Sequence, residues 1–217
     1  MKKELLFMGP PASGKGTQTH RLAEETGLPH VDTGSLLRAA IKNKTEAGMI
    51  VKALIDKGQL APIEIVARII KERLMEEDCK KGFILDGFPR SLEQALALDE
   101  IKKEIDKDVD VDFKVINFEI PEDVLLERIV NRVSCPACGQ IYNKKFTPPQ
   151  KDGICDKCST ELTQRKDDTE EVAKTRFATY HKETEPLINF YEQRNELIAL
   201  DAQGTSDEIY ERIKEII

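Results

Sequence analysis

LLFMGPPASGKGT, residues 5–17, runs from four apolar residues through a glycine- and proline-rich loop to a lysine. Leu5 to Met8 reads as a buried parallel strand, because a strand covered on both faces needs no polar alternation. Gly9-Pro10-Pro11 stops the run, and Lys15 to Glu25 reads as a helix closed by Gly27. A GxxxxGK match carries meaning in this setting of strand, loop and helix. Amides of the loop and the helix N-terminus offer donors and partial positive charge to a polyphosphate, and Lys15 can bridge the transferred group and its neighbour. The plainer reading is a turn with a solvated lysine. Gly16 follows the lysine and the hydroxyl comes only at Thr17, which weakens the usual assignment of that hydroxyl to magnesium.

Outward from the loop the same signature recurs. Phe83-Ile84-Leu85 ends in Asp86-Gly87, and Val115 to Ile120 leads through Pro121 into a helix running to about Val133. Leu197 to Leu200 reads as a last strand, with Ser206 as N-cap of a closing helix in which Ile209, Ile213 and Ile216 recur at helical spacing. Helical patterns separate the strands, as a parallel α/β sheet requires. Two stretches do not look like core: Thr33 to about Pro62, mostly helical, and Ser134 to about Lys166, rich in Cys, Gly, Pro and Lys.

A chain of 217 residues suffices for one α/β core with appendages. Its 33 Lys+Arg against 40 Asp+Glu give a formal charge of −7, which argues against general nucleic-acid binding but leaves room for a local basic site. The first apolar run is too short for a signal peptide or a membrane span, so a soluble, cytoplasmic protein is expected.

Four of the five cysteines form two CxxC pairs, Cys135/Cys138 and Cys155/Cys158, separated by 16 residues. Thiolates at this spacing suit tetrahedral zinc with no open position, hence a structural metal in a segment too small for its own core. A redox dithiol, disulfides and an iron–sulfur cluster are the competing readings. Cys79 reads as an ordinary thiol, and His20, His30 and His181 as surface or packing residues.

GPPASGKGTQ at 9–18, DTGSLLR at 32–38, GFILDGFPRS at 82–91 and TQRKDD at 163–168 together resemble the adenylate kinases, in particular the bacterial long-lid type. The resemblance spans essentially the whole chain. It implies a five-stranded parallel sheet flanked by helices, of the P-loop NTPase type, with a helical AMP-binding insertion and a zinc-ribbon-like lid. The implied division is a core of residues 1–32, 63–131 and 168–217, an insertion of 33–62 and a lid of 132–167.

The resemblance also implies roles. Lys15, Arg90, Arg132, Arg165, Arg176 and Asp86 would serve transfer, with Asp86 holding water around a phosphate-bound Mg²⁺. ATP would lie on Pro11, Ala12, Ser13, Gly14, Lys15, Gly16 and Thr17, and near Arg128, Arg132, Tyr142 and Gln203. AMP would meet Thr33, Gly34, Arg38, Gln59, Leu60, Ala61, Gly87, Arg90, Gln94, Arg165 and Arg176. Asp167 and Asp168 match lid-hinge carboxylates. The implied reaction is ATP + AMP to 2 ADP by a monomer, with neither nucleic acid nor membrane as partner. A UMP/CMP kinase or GTP:AMP phosphotransferase of the same fold, and a non-catalytic nucleotide-binding regulator, are the alternatives.

The chain departs from the family pattern at a few places. Ala12 and Ser13 stand where the family usually has Gly then a small residue, and Ala12 is costly if the backbone needs positive φ. Ser35 replaces the usual Asp, Ala61-Pro62-Ile63-Glu64 replaces Val-Pro-Asp-Glu, and Val133 replaces a second arginine.

Overall fold

Lys2–Met8 forms β1 at the centre of a five-stranded sheet, as the unbroken apolar run Leu5 to Met8 within it requires. The structure is a computed structural model, and it describes all 217 residues. After β1 come α1 (Lys15–Thr26), β2 (His30–Asp32), α2 (Thr33–Lys42), α3 (Glu46–Ile55), α4 (Ile63–Leu74), β3 (Gly82–Asp86), α5 (Leu92–Ile105) and β4 (Val111–Glu119). The chain continues with α6 (Leu125–Val130), β5 (Arg132–Ser134), β6 (Ile141–Asn143), α7 (Glu170–Thr179), a π-helical turn at Tyr180–Thr184, α8 (Pro186–Glu192), β7 (Leu197–Asp201) and α9 (Ser206–Ile216).

The strand order is β2-β3-β1-β4-β7, with every pairing parallel. Leu6, Met8, Phe83, Leu85 and Val115 pack on one face, and Leu5, Phe7, Ile84, Ile116 and Phe118 on the other. Alternate residues of one strand thus enter opposite cores, the reason the strands read as continuous hydrophobic runs. The carboxyl ends of the strands, among them Asp32 and Asp86, lie along one edge, where open α/β sheets bind ligands. Gly9 begins the loop there with φ 135°, and a Cβ on it would sit 2.8 Å from Phe118. Only glycine lets the loop leave the sheet so close to β4.

Two sequence expectations change, and one strand appears that the sequence did not signal. The helix after Pro121 ends at Val130, because Arg132–Ser134 turns into β5 and pairs antiparallel with β6. Thr205, not Ser206, is the N-cap of α9: its hydroxyl accepts the Glu208 N–H at 3.3 Å, and Glu208 Oε2 accepts the Thr205 N–H at 2.7 Å. Such a reciprocal box needs Glu three residues after the cap, which selects Thr205. The short strand β2 had no signal of its own in the sequence.

Beyond the sheet, α2 and α3 form the helical insertion, and β5, β6 and the cysteine turns form a lid with its own small cluster of Val133, Cys135, Tyr142 and Cys155. No helix is long and apolar enough to cross a membrane.

Candidate active site and metal centre

A cavity of about 930 Å³ opens at the carboxyl edge of the sheet, between the phosphate loop, the insertion and the lid. Gly14 caps α1 without a side-chain acceptor, and the N–H groups of Ala12, Gly14, Lys15 and Gly16 find no acceptor in the protein. Unpaired donors in succession at a helix N-terminus form an anion cradle. Lys15 folds back over the loop, its Nζ donating to the carbonyls of Gly9 at 2.7 Å and Pro10 at 2.9 Å and to Ser13 Oγ at 3.2 Å. Burial, helped by the charges of Arg90, Arg176 and Arg132 and opposed by Asp86, pulls its pKa down to about 8. Ala12 takes φ 63°, so the loop does need the left-handed conformation and the alanine adopts it under strain. Its methyl packs beside Leu125, Ile129, Ala173 and Phe177.

Asp86 closes β3 next to this lysine. Thr19 Oγ1 lies 3.3 Å and His30 Nε2 3.5 Å from its Oδ2. Burial opposes ionisation of Asp86, but His30, Lys15 and Arg90 outweigh it and hold the carboxyl below its usual range. His30 is itself raised: burial lowers it, and Asp86 and Asp32 more than compensate. His30 thus packs against Asp86 from behind the cavity, outside its lining.

On the insertion side, Asp32 accepts the N–H groups of Gly34 at 2.9 Å and Ser35 at 3.2 Å and so caps α2. Arg38 Nη2 donates to Asp32 Oδ2 at 3.3 Å and to Ser35 Oγ at 3.1 Å, while Ser35 Oγ also contacts Asp32. The departure at Ser35 thus preserves a polar partner for Arg38. Thr33 is 3 % exposed, and its hydroxyl is buried without a partner at the cavity wall. Gln94 Oε1 accepts the Arg90 N–H at 2.8 Å, leaving its amide NH₂ for another acceptor. Arg90 Nε donates to the Gly87 carbonyl at 2.8 Å, and a Cβ on Gly87, at φ 81°, would strike Arg90 Nη2 at 2.9 Å. Gly34, Gln59, Leu60 and Ala61 complete this end of the lining.

At the lid, Arg132 grips Asp168 bidentately, through Nε at 2.8 Å and through Nη2. Arg176 Nη1 reaches Asp167 and Asp168, each at 3.3 Å. Arg165 has no ion-pair partner, and burial together with Arg132 and Arg38 lowers its pKa to about 10; burial and Arg132 do the same to Arg176. Burial alone lowers Arg128. Seven cationic side chains, Lys15, Arg38, Arg90, Arg128, Arg132, Arg165 and Arg176, face the cavity against four anionic ones, Asp32, Asp86, Asp167 and Glu208. An excess of buried positive charge in a protein of net charge −7 has one evident use, to neutralise a polyanion.

Of the expected nucleotide residues, Pro11 to Thr17 line the cavity, as does Tyr142, which also packs in the lid. Gln203 does not. Its backbone N–H donates to Asp201 and its carbonyl accepts from Arg212, and the neighbouring Gly204 and Thr205 reach the wall instead. Val133 points into the lid cluster, so the absent second arginine is replaced by packing.

The sulfurs of Cys135, Cys138, Cys155 and Cys158 all lie within 4.8 Å of one another. Zn–S bonds of ~2.3 Å would set tetrahedral sulfurs ~3.8 Å apart, and the 3.3 Å and 3.6 Å separations of Cys135–Cys158 and Cys138–Cys155 are compatible with closing on such an ion. Turn bonds shape both knuckles, Gly139 N–H to Cys135 O at 3.1 Å and Ser159 N–H to Cys155 O at 2.8 Å. The remaining cysteine, Cys79, is buried, and burial pushes its thiol up to about 11. His181, between Glu122 and Glu185, and His20, beside Glu24, lie outside the cavity lining.

A protein-family model described as adenylate kinase matches residues 7–196. The chain is 46 % identical over 213 residues to the adenylate kinase of Bacillus licheniformis, covering 98 % of this chain and 97 % of that one. It is similar to the adenylate kinases of Methanosarcina mazei, 47 % identical with the same coverage, and Archaeoglobus fulgidus, 48 % identical over 94 % of this chain and 91 % of that one.

Proposed function

This chain belongs to the adenylate kinase family, and from that premise we propose that its cavity transfers a phosphoryl group reversibly between ATP and AMP. Relatives of both bacterial and archaeal origin carry the same name, which disfavours a pyrimidine or GTP-dependent variant of the fold. The observation that carries the reading is the pairing of the free amides of Ala12, Gly14, Lys15 and Gly16 with buried cations on both sides of the cavity.

In this reading the cradle and Lys15 hold the donor phosphates, while Arg128 and Tyr142 flank the donor base. Arg38 and Arg90 grip the acceptor phosphate. The orphan hydroxyl of Thr33 and the free amide of Gln94 meet the acceptor base, beside Gln59 to Ala61. Arg132, Arg165 and Arg176 neutralise charge spread over the transferred oxygens, and no general base is needed. Asp86 fits a hydrated Mg²⁺ arriving with the nucleotide, since its carboxylate is ionised and faces the cavity; the ion supplies further charge neutralisation there.

Residues 33–62 and 132–167 are read as segments that close over the two nucleotides, and the four cysteines as ligands of a structural zinc that keeps the lid rigid as it closes. Closure excludes water and so prevents wasteful hydrolysis. The protein is read as a cytoplasmic monomer.

Coupled assays with AMP, CMP, UMP and GMP test the reading. AMP should be turned over with ATP and Mg²⁺, and Lys15→Met should lose at least ~10³-fold in kcat, as befits a main charge-stabilising group. Full activity of Lys15→Met, or a preference for a pyrimidine acceptor, overturns it.

A further inference from the structure

Arg90 lies in the loop between β3 and α5, where no sheet ladder holds its backbone. Three hydrogen bonds hold the residue instead, two through its backbone and one through its side chain. Two are local, the Arg90 N–H to Gln94 Oε1 and Nε to Gly87 O, both at 2.8 Å. The third comes from far along the chain: Thr184 Oγ1 donates to the Arg90 carbonyl at 2.8 Å, and Thr184 is 7 % exposed.

Thr184 behaves unlike the other threonines bonded along helices here. Thr19, Thr26, Thr175 and Thr179 donate to the carbonyl four residues earlier in their own helices, at 3.0, 2.6, 3.4 and 2.8 Å, the usual habit of a helical hydroxyl. For Thr184 that acceptor would be the Tyr180 carbonyl, but across the π turn this carbonyl pairs with the N–H of Glu185 at 2.9 Å, one residue later than in an α-helix, and the Thr184 hydroxyl bonds Arg90 instead. The turn has a local cause. Pro186 has no N–H to give and its ring crowds the carbonyl of Lys182, so the helical run widens just before it. The widened turn leaves the Thr184 hydroxyl free to reach across the cavity floor.

We propose that Thr184 is a positioning residue for Arg90, fixing the acceptor-phosphate arginine relative to the helix that carries Arg176. The inference rests on the reading of Arg90 given above. Arg176 stands on α7 and Thr184 in the turn that continues it, so one rigid run sets the spacing between a cation of the transfer centre and the acceptor arginine. Loss of the hydroxyl keeps the two local bonds, which fold Arg90 onto its own loop. It releases only the placement of that loop against α7. The effect belongs to AMP and to the transfer step, not to ATP binding.

The test compares Thr184→Val, Thr184→Ser, Arg90→Ala and the double variant Thr184→Val/Arg90→Ala, with KM for each nucleotide, kcat and thermal midpoint measured on the full chain. Thr184→Val should raise KM for AMP or lower kcat by ~10-fold, the size expected for one buried hydrogen bond, with KM for ATP unchanged. Thr184→Ser should restore the wild-type values. In the Arg90→Ala background, Thr184→Val should have no further effect on KM for AMP. A Thr184→Val protein that melts earlier but keeps its AMP kinetics at a temperature where it is folded overturns the inference. So does an additive effect in the double variant. If Arg90→Ala itself leaves AMP kinetics intact, the assignment of Arg90 fails, an outcome distinguishable from failure of Thr184 alone.

Discussion

Lys15 holds its proton less tightly than a solvated lysine, with a pKa near 8 caused first by burial. A polyphosphate in the cradle must raise that value again, since a nearby anion favours the ammonium. Nucleotide binding above neutrality is therefore expected to take up a proton. Calorimetry of ATP binding at about pH 8.5 in buffers of different ionisation enthalpy should show uptake approaching one proton, absent in Lys15→Met. In the free protein the sign for stability follows from the same shift. The unfolded chain binds the extra proton between pH 8 and 10.5, so this lysine's contribution to stability increases as pH rises through that window. Ala12 bears on the same loop. A β-branched side chain is a severe outlier at φ 63°, so Ala12→Val should weaken ATP binding by ~10-fold or more and leave AMP binding nearly intact, as equilibrium titration would reveal. The strain at Ala12 was legible as a conditional: an alanine in a glycine's place is costly if the loop is left-handed. The contact of His30 with Asp86 was not legible, because it joins residues 56 apart in the chain that parallel pairing of β2 with β3 brings alongside.

At the scale of elements, long apolar strands announced themselves and short ones did not. β1, β3 and β4 carry enough buried residues to be read alone, whereas His30–Asp32 and Arg132–Ser134 span three residues each and exist through their neighbours. The lid makes the same point about stability. Its buried cluster has four members, two of them cysteines, so little apolar surface remains to hold it without a metal. Removing zinc by a strong chelator should erase hydrogen-exchange protection across residues 132–167 while β1, β3 and β4 keep theirs, and ATP turnover should fall. Retained lid protection in metal-free protein would contradict the structural role. The two CxxC pairs made the gathering of the four sulfurs the most legible part of the chain, because a metal-type spacing constrains sequence directly.

At the scale of the whole molecule, lid and core touch directly. Lys157, between the last two cysteines of the lid, meets Glu24 on α1 of the core, and His20 lies 3.6 Å from the same carboxylate. Such an exposed pair is worth less than ~1 kcal/mol. In the closure proposed above, reversing its charge disfavours the closed state. Glu24→Lys is expected to raise KM for ATP by about twofold at low ionic strength, an effect that salt should remove; an unchanged KM would show that the contact carries no weight in closure.

The strand order has a further consequence for a chain emerging from the ribosome. The core face on which α4, α5 and α8 pack is complete once Tyr191 is made, whereas β7, Tyr210 and Ile213, which cover one edge of β4 and the opposite face, come last. Until then, the nascent protein carries an open parallel edge with Val115, Ile116 and Phe118 behind it, a template for pairing with other chains. Residues 197–217 therefore end a period of aggregation risk during synthesis. A stalled product released before Leu197 should be insoluble, even though its phosphate loop, acceptor arginines and lid are all present.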